Sequence, residues 1–177
     1  MTQRERRDFT QLRLKRYSHR FAEQVLNSKL ALKEEIERTI ENLNPEPADL
    51  TRPNFNELLR TKFLSLGWKD QPDVFDDKED PSAKMDFLKE RIGIEVGFGH
   101  SSFLGIDLLK FQICSYSGLD KIDVGVYVVT TAKFQRDVWR QYEANWEGSL
   151  KFEKLVHYLP HLRSAITIPV YVLGIDT

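Results

Sequence analysis

Two short apolar segments, an amphipathic stretch and a β-branched run follow one another between residues 84 and 130, and this order restricts the fold more than any other feature of the chain. Residues 85–88 and 92–98 read as strands joined by the turn Lys89-Glu90-Arg91. Ser101 or Ser102 then caps a helix that runs to about residue 117, with Phe103, Ile106, Leu109 and Ile113 turned inward and Gly118 closing it. Residues 122–129 suit a central strand, because β-branched side chains pack well on a pleated surface. Strand, helix and strand in that order make a βαβ unit, right-handed by general rule. The expected fold is α/β: a mixed β-sheet flanked by helices on both faces.

The flanking segments fit around that unit. Residues 18–43 carry a helical pattern, with Leu30, Ile36, Ile40 and Leu43 near one face, and Asn44-Pro45-Glu46-Pro47 stops it. A second helix opens at Asn54, with Glu57 three residues on as a capping-box partner; Leu58, Leu59, Phe63 and Leu64 form its stripe and Gly67 ends it. Residues 70–81 form a polar, acidic loop. Residues 134–142 and 150–162 read as helices, and 166–173 as a late strand near an edge of the sheet, since Pro169 lies inside it.

At 177 residues the chain is long enough for one domain with a sizeable core, spanning 1–177. No apolar run approaches the roughly 20 residues of a membrane span, and the basic N-terminus has no apolar stretch behind it to make a secretory signal. The single cysteine, Cys114, excludes an internal disulfide, reads as a small buried hydrophobe and fits a cytoplasmic location. A net charge of −1 argues against a purely electrostatic nucleic-acid binder, although a local basic cleft and an acidic site would cancel in the sum. Arg4, Arg6, Arg7, Arg13, Lys15, Arg16 and Arg20 make residues 1–20 basic, as either a solvated terminus or a phosphate-tracking arm.

Alternation along 92–98 puts Glu95, Gly97 and Gly99 on one face and Ile94, Val96 and Phe98 on the other. Asp86 on the neighbouring strand can then stand opposite Glu95. Two such carboxylates repel, and a hard cation relieves the repulsion. Mg²⁺ takes one or two carboxylates, waters and a substrate phosphate oxygen. The pair therefore suits a Mg²⁺ site beside a phosphodiester, with the Val96 carbonyl as a further ligand and Mn²⁺ as a possible substitute. The alternative is that Asp86 and Glu95 are solvent-facing strand ends.

The order Asp86, then Glu95-Val96-Gly97-Phe98-Gly99-His100, SSFLGIDLLKFQ, KIDVGVYVVTT and IPVYVLGID resembles the BglII/BstYI type of restriction endonucleases, relatives of BamHI in the PD-(D/E)XK nuclease superfamily. The segments YSHRFAEQVLN and NFNELLRTKFLSLGWK also resemble that family, so the likeness covers nearly the whole chain. It implies a restriction-endonuclease-like sheet and a homodimer that cuts double-stranded DNA at a palindrome containing GATC, using Mg²⁺. Asp86 and Glu95 would be catalytic metal ligands with Val96, and Glu57 would match a position where relatives keep an acid near the metal.

Gly97 departs from the pattern, because superfamily members generally carry Lys, Glu or Gln there to orient or activate the attacking water. Another group, such as His100 or the substrate phosphate, would then place the water; otherwise the chain is a poor catalyst, or a DNA-binding relative that no longer cuts. A repair or recombination nuclease on the same scaffold is a further alternative. For DNA contacts the expected residues are Gly99, His100 and Ser101 just past the strand, then Lys133, Arg136, Arg140 and Asn145 in 131–148. Arg and His can meet guanine in the major groove, and Asn can meet adenine. Each has a plainer alternative as part of a solvated surface or charged helix face.

Overall fold

The computed structural model describes residues 9, 11–75, 83–116 and 119–177. One six-stranded sheet organises them, in the order β1-β6-β5-β4-β3-β2. Its strands are β1 (Arg13–His19), β2 (Lys69–Asp70), β3 (Phe87–Lys89), β4 (Ile92–Val96), β5 (Val124–Thr130) and β6 (Val170–Asp176). The three central strands β6, β5 and β4 run parallel, while β1, β3 and β2 add antiparallel margins. The helices are α1 (Ala22–Asn27), α2 (Leu30–Glu41), α3 (Arg52–Ser65), α4 (Leu104–Ser115), α5 (Ala132–Tyr142) and α6 (Phe152–Tyr158).

All seven residues of β5 are buried, as expected of a parallel strand covered on both faces. Val124, Val126 and Val128 face a core built with Phe55, Phe63 and Phe134 from α3 and α5. Tyr127 and Val129 face the other core, with Leu108, Phe111 and Leu155 from α4 and α6. The expected mixed sheet with helices on both sides is therefore the observed one. Among the described residues no helix is long and apolar enough to cross a membrane.

Several boundaries differ from the sequence reading. The basic segment 13–19 is a strand, not an arm. Only Leu14 and His19 are buried along it, and it pairs along its length with β6, Arg13 opposite Asp176 and His19 opposite Val170. Arg16 of this strand donates to Glu37 at 2.8 Å and Glu41 at 3.2 Å, and Arg20 just after it donates through Nε to the Ile166 carbonyl at 3.0 Å. Arg4, Arg6 and Arg7 lie outside the described residues. With β1 at the margin, β6 is an interior strand. Pro169 costs it nothing because Val170 is its first residue, and the Pro169 carbonyl accepts from Gly125 N–H.

The helical pattern at 18–43 breaks into α1 and α2 at Ser28-Lys29, where Lys29 leaves helical backbone (φ −126°, ψ 48°). Thr51, not Asn54, precedes α3, which has Pro53 in its first turn, where a missing N–H is harmless. The Asn54 amide instead donates to the Ala48 carbonyl at 2.7 Å. The β3–β4 hairpin turns through Glu90 and Arg91, both at positive φ (45° and 65°). Residues 150–162 hold only α6 and a 3₁₀ turn, Leu159–Leu162. Of the expected loop at 70–81, residues 76–81 lie outside the described residues, as do Ser82, Ser117 and Gly118.

The largest difference is the face that α4 buries. Leu104, Leu108, Phe111 and Cys114 point inward, whereas Phe103, Ile106 and Leu109 are about half exposed (57%, 52% and 46%). Apolar residues lie all round this helix, so spacing alone offers two faces. Gly125 on β5 decides between them: a Cβ there would lie 2.7 Å from the Phe111 ring, and only glycine lets that ring sit flat on the sheet.

Candidate active site

β3 and β4 pair with Phe87 opposite Ile94, which places Asp86, just before β3, across from Glu95. Asp86 is fixed by the backbone: its Oδ2 accepts from Val96 N–H at 2.7 Å. Glu95 is only 2% exposed. Its Oε2 accepts from Lys110 Nζ at 2.8 Å, while Oε1 is buried and accepts no hydrogen bond. Both carboxyls are pushed above their ordinary range. Burial dominates for each, Asp86's charge adds to the rise at Glu95, and Lys110 opposes it.

Asp86, Glu95 and Val96 line a cavity of about 190 Å³ with Gly97, Gly99, His100, Asp107, Lys110 and Tyr127. Lys110 and Asp107 come from α4, an ion pair at 3.1 Å. The Tyr127 hydroxyl donates to Asp107 Oδ2 at 2.6 Å; burial, then the charge of Asp107, push its pKa up and keep it protonated. These three residues escaped the sequence reading. Their signal was the Asp107–Lys110 spacing on a helix following the carboxylate strand.

The donor set suits a hard divalent cation. A buried carboxylate oxygen without a donor, beside a second carboxylate, is a costly arrangement that such a cation would relieve. Among the described residues no group of three or more His, Cys, Asp or Glu side chains is placed to hold a metal. Asp86, Glu95 and the Val96 carbonyl would therefore hold it together with water.

The remaining expected residues are distributed unevenly. Glu57 is exposed on α3 and turned to Arg60 at 3.2 Å, and is not among the cavity-lining residues. The α3 residues that line a cavity with Asp86 are Arg52, Pro53 and Asn56. Gly99 and His100 line the 190 Å³ cavity; His100 Nδ1 meets Ser102 Oγ at 2.9 Å, and Ser101 Oγ accepts from Lys154 at 3.1 Å. Arg136 and Asn145 line a separate cavity of about 400 Å³ beside Trp139 and Lys151. Arg140 is exposed, and Lys133 is engaged by Asp137, Asp176 and Thr177.

A mixed sheet with paired carboxylates at one rim and helices on both faces, in this strand order, has the fold of the restriction endonucleases. The structure of restriction endonuclease BglII complexed with a DNA 16-mer is similar, with a TM-score of 0.68 and 16% identity, covering 92% of this chain and 77% of that one. The sequence profile of the restriction endonuclease BglII/BglIII family matches residues 14–175, and the chain belongs to that family. No curated protein sequence matches it.

Proposed function

We propose that this chain is a Mg²⁺-dependent type II restriction endonuclease that cuts double-stranded DNA at a short palindromic site containing GATC, as a homodimer in the cytoplasm. The observation that carries this reading is the buried Asp86–Glu95 pair with the unsatisfied Glu95 Oε1, set on the strands of a restriction-endonuclease fold. A bound Mg²⁺, or Mn²⁺ in its place, would polarise the scissile phosphate and acidify water. The chain's own contribution is to fix Asp86 through the Val96 N–H and to present Gly99 and His100 at the cavity, with Ser101 next to them in sequence as a further DNA contact. Arg136, Arg140 and Asn145 are proposed DNA contacts on the exposed side of α5 and the loop after it. Lys133 enters that role only by leaving its acidic partners, and Glu57 enters the metal site only by leaving Arg60.

Incubating the purified chain with unmethylated plasmid DNA and sequencing the ends tests the reading. Discrete ends at one GATC-containing palindrome, in Mg²⁺ and not in EDTA, are expected. Gly97 favours a second reading, a sequence-specific DNA binder that no longer cuts; tight site-specific binding without cleavage in either metal would establish it.

The homodimer has its own support. Phe103, Ile106 and Leu109 form an exposed apolar stripe along α4, beside the cavity that Phe103 also lines. A second copy related by two-fold symmetry would cover both stripes at once and present one carboxylate pair to each strand of a palindrome. Ile106→Arg is expected to give a monomer by sedimentation velocity where the wild type is a dimer; a dimeric variant would place the interface elsewhere.

A further inference from the structure

We propose that Lys110, carried by α4 and not by the active-site strand, is the catalytic group that holds the attacking water, filling the role for which Gly97 has no side chain. The inference rests on the nuclease reading above and names the residue that completes its site.

Position 97 has no room for a side chain. A Cβ there would lie 2.8 Å from Tyr127 Cε2, 2.9 Å from Val129 Cγ1 and 3.3 Å from Leu150 Cδ2. The Tyr127 ring occupies the space into which a residue 97 side chain would project. Its hydroxyl holds Asp107, and Asp107 in turn holds Lys110. The side chain that closes the strand position thus anchors the cation delivered from the helix. Lys110 Nζ is fixed by three acceptors: Glu95 Oε2 at 2.8 Å, Asp107 Oδ1 at 3.1 Å and the Lys84 carbonyl at 3.1 Å. An ammonium has three N–H donors, so all are spoken for. With Glu95 holding a divalent cation, the Lys110 N–H that meets Oε2 would be released to the cavity. The Asp107 and Lys84 contacts keep the nitrogen in place while it donates to a water.

The step itself is a hydrolysis. The water oxygen forms a bond to phosphorus as the ester P–O bond on the far side breaks. The water proton leaves to solvent, and the departing oxygen takes a proton from solvent. Lys110 remains an ammonium throughout. It orients the water and offsets the negative charge that gathers on the phosphate.

A lysine serving only as a counterion for Glu95 would behave differently, and the purified protein distinguishes the two. Lys110→Met and Lys110→Arg are compared with wild type for single-turnover cutting of a plasmid in Mg²⁺, and for Mn²⁺ binding by calorimetry without DNA. Lys110→Met is expected to lower the cutting rate by about 10²–10⁴-fold. Its Mn²⁺ affinity should be unchanged or several-fold tighter, because a competing positive charge is gone. Lys110→Arg should recover at least about tenfold of the lost rate. A fall in rate with no loss of metal affinity is what a lysine that only shapes the metal ligands does not produce. Wild-type cutting by Lys110→Met overturns the assignment and leaves the nuclease reading intact. Loss of Mn²⁺ binding in that variant also overturns it, since Lys110 would then only shape the ligands. Should Lys110→Met not fold, Asp107→Asn is measured in its place, with slower cutting at unchanged Mn²⁺ affinity expected and wild-type cutting overturning the proposal. A wild-type chain that cuts nothing in Mg²⁺ or Mn²⁺ removes the nuclease reading and this assignment together.

Discussion

Glu95→Ala is expected to lower DNA cleavage in Mg²⁺ by about 10³-fold or more, well beyond the roughly 10–100-fold that follows loss of a group supporting a metal ligand. A thousandfold loss corresponds to about 4 kcal/mol of barrier. The reason lies in how little else the site offers. Asp86 is the only other carboxylate of the facing strand pair, and Asp107 is already committed to Tyr127 and Lys110. Removing Glu95 leaves a single carboxylate for the cation and takes one of three acceptors from Lys110. The fold should tolerate the change, because burial disfavours the Glu95 charge and Asp86 repels it. Cleavage and thermal unfolding of the variant are measured side by side. Cutting at the wild-type rate by a folded Glu95→Ala protein would remove the carboxylate pair from the mechanism.

Trp146→Ala is expected to cost about 3–5 kcal/mol of stability, the range for truncating a large core aromatic. Trp146 is 2% exposed and meets the rings of Phe98 at 5.4 Å, Phe134 at 5.4 Å and Phe55 at 5.8 Å. Its Nε1–H donates to the Leu50 carbonyl at 2.8 Å, which would lose this donor. One side chain thus ties α3, α5 and the segment after β4 together. The segment it anchors runs on to Gly148 and Ser149. The Gly148 carbonyl accepts from Ser101 N–H, and Ser149 Oγ donates to the Phe98 carbonyl at 3.0 Å. The support beneath His100 and Ser101 would therefore loosen along with the core. Urea unfolding measures the first effect; a loss below about 1 kcal/mol would show that the surrounding rings close the gap and that Trp146 is not the anchor.

The parts of this molecule that were legible in the sequence are those where one periodicity admits one answer. The alternation in 92–98 put Glu95 and Gly97 on one face and Ile94 and Phe98 on the other, and the cores follow that division. β5 was legible because a run of β-branched residues buried on both faces reads as a strand in any register. β1 was not, because only Leu14 and His19 are fully inward while Arg13, Lys15 and Arg16 dominate its appearance. Those charges find their partners on β6, α2 and α6, information that no local window contains. The orientation of α4 was hidden for a related reason. Its apolar residues surround the axis, and the choice of face depends on a glycine in a strand ten residues beyond Ser115's turn of helix, where Phe111 seats against Gly125. The carboxylate pair could be read from pattern; its helix-borne cation required the fold.

The place of β6 between β1 and β5 also governs the order in which the molecule can be made. Residues 13–19 leave the ribosome about 150 residues ahead of the partners they pair with, so β1 has no strand beside it until 170–176 arrive. Until then β5 presents an apolar sequence with one side unpaired. Long-range pairings of this kind slow folding and leave strand edges open to other chains. A nascent chain of this protein therefore completes its sheet last at the strand farthest along the sequence, and slow release, low temperature or a holdase chaperone during synthesis should favour its yield over fast expression.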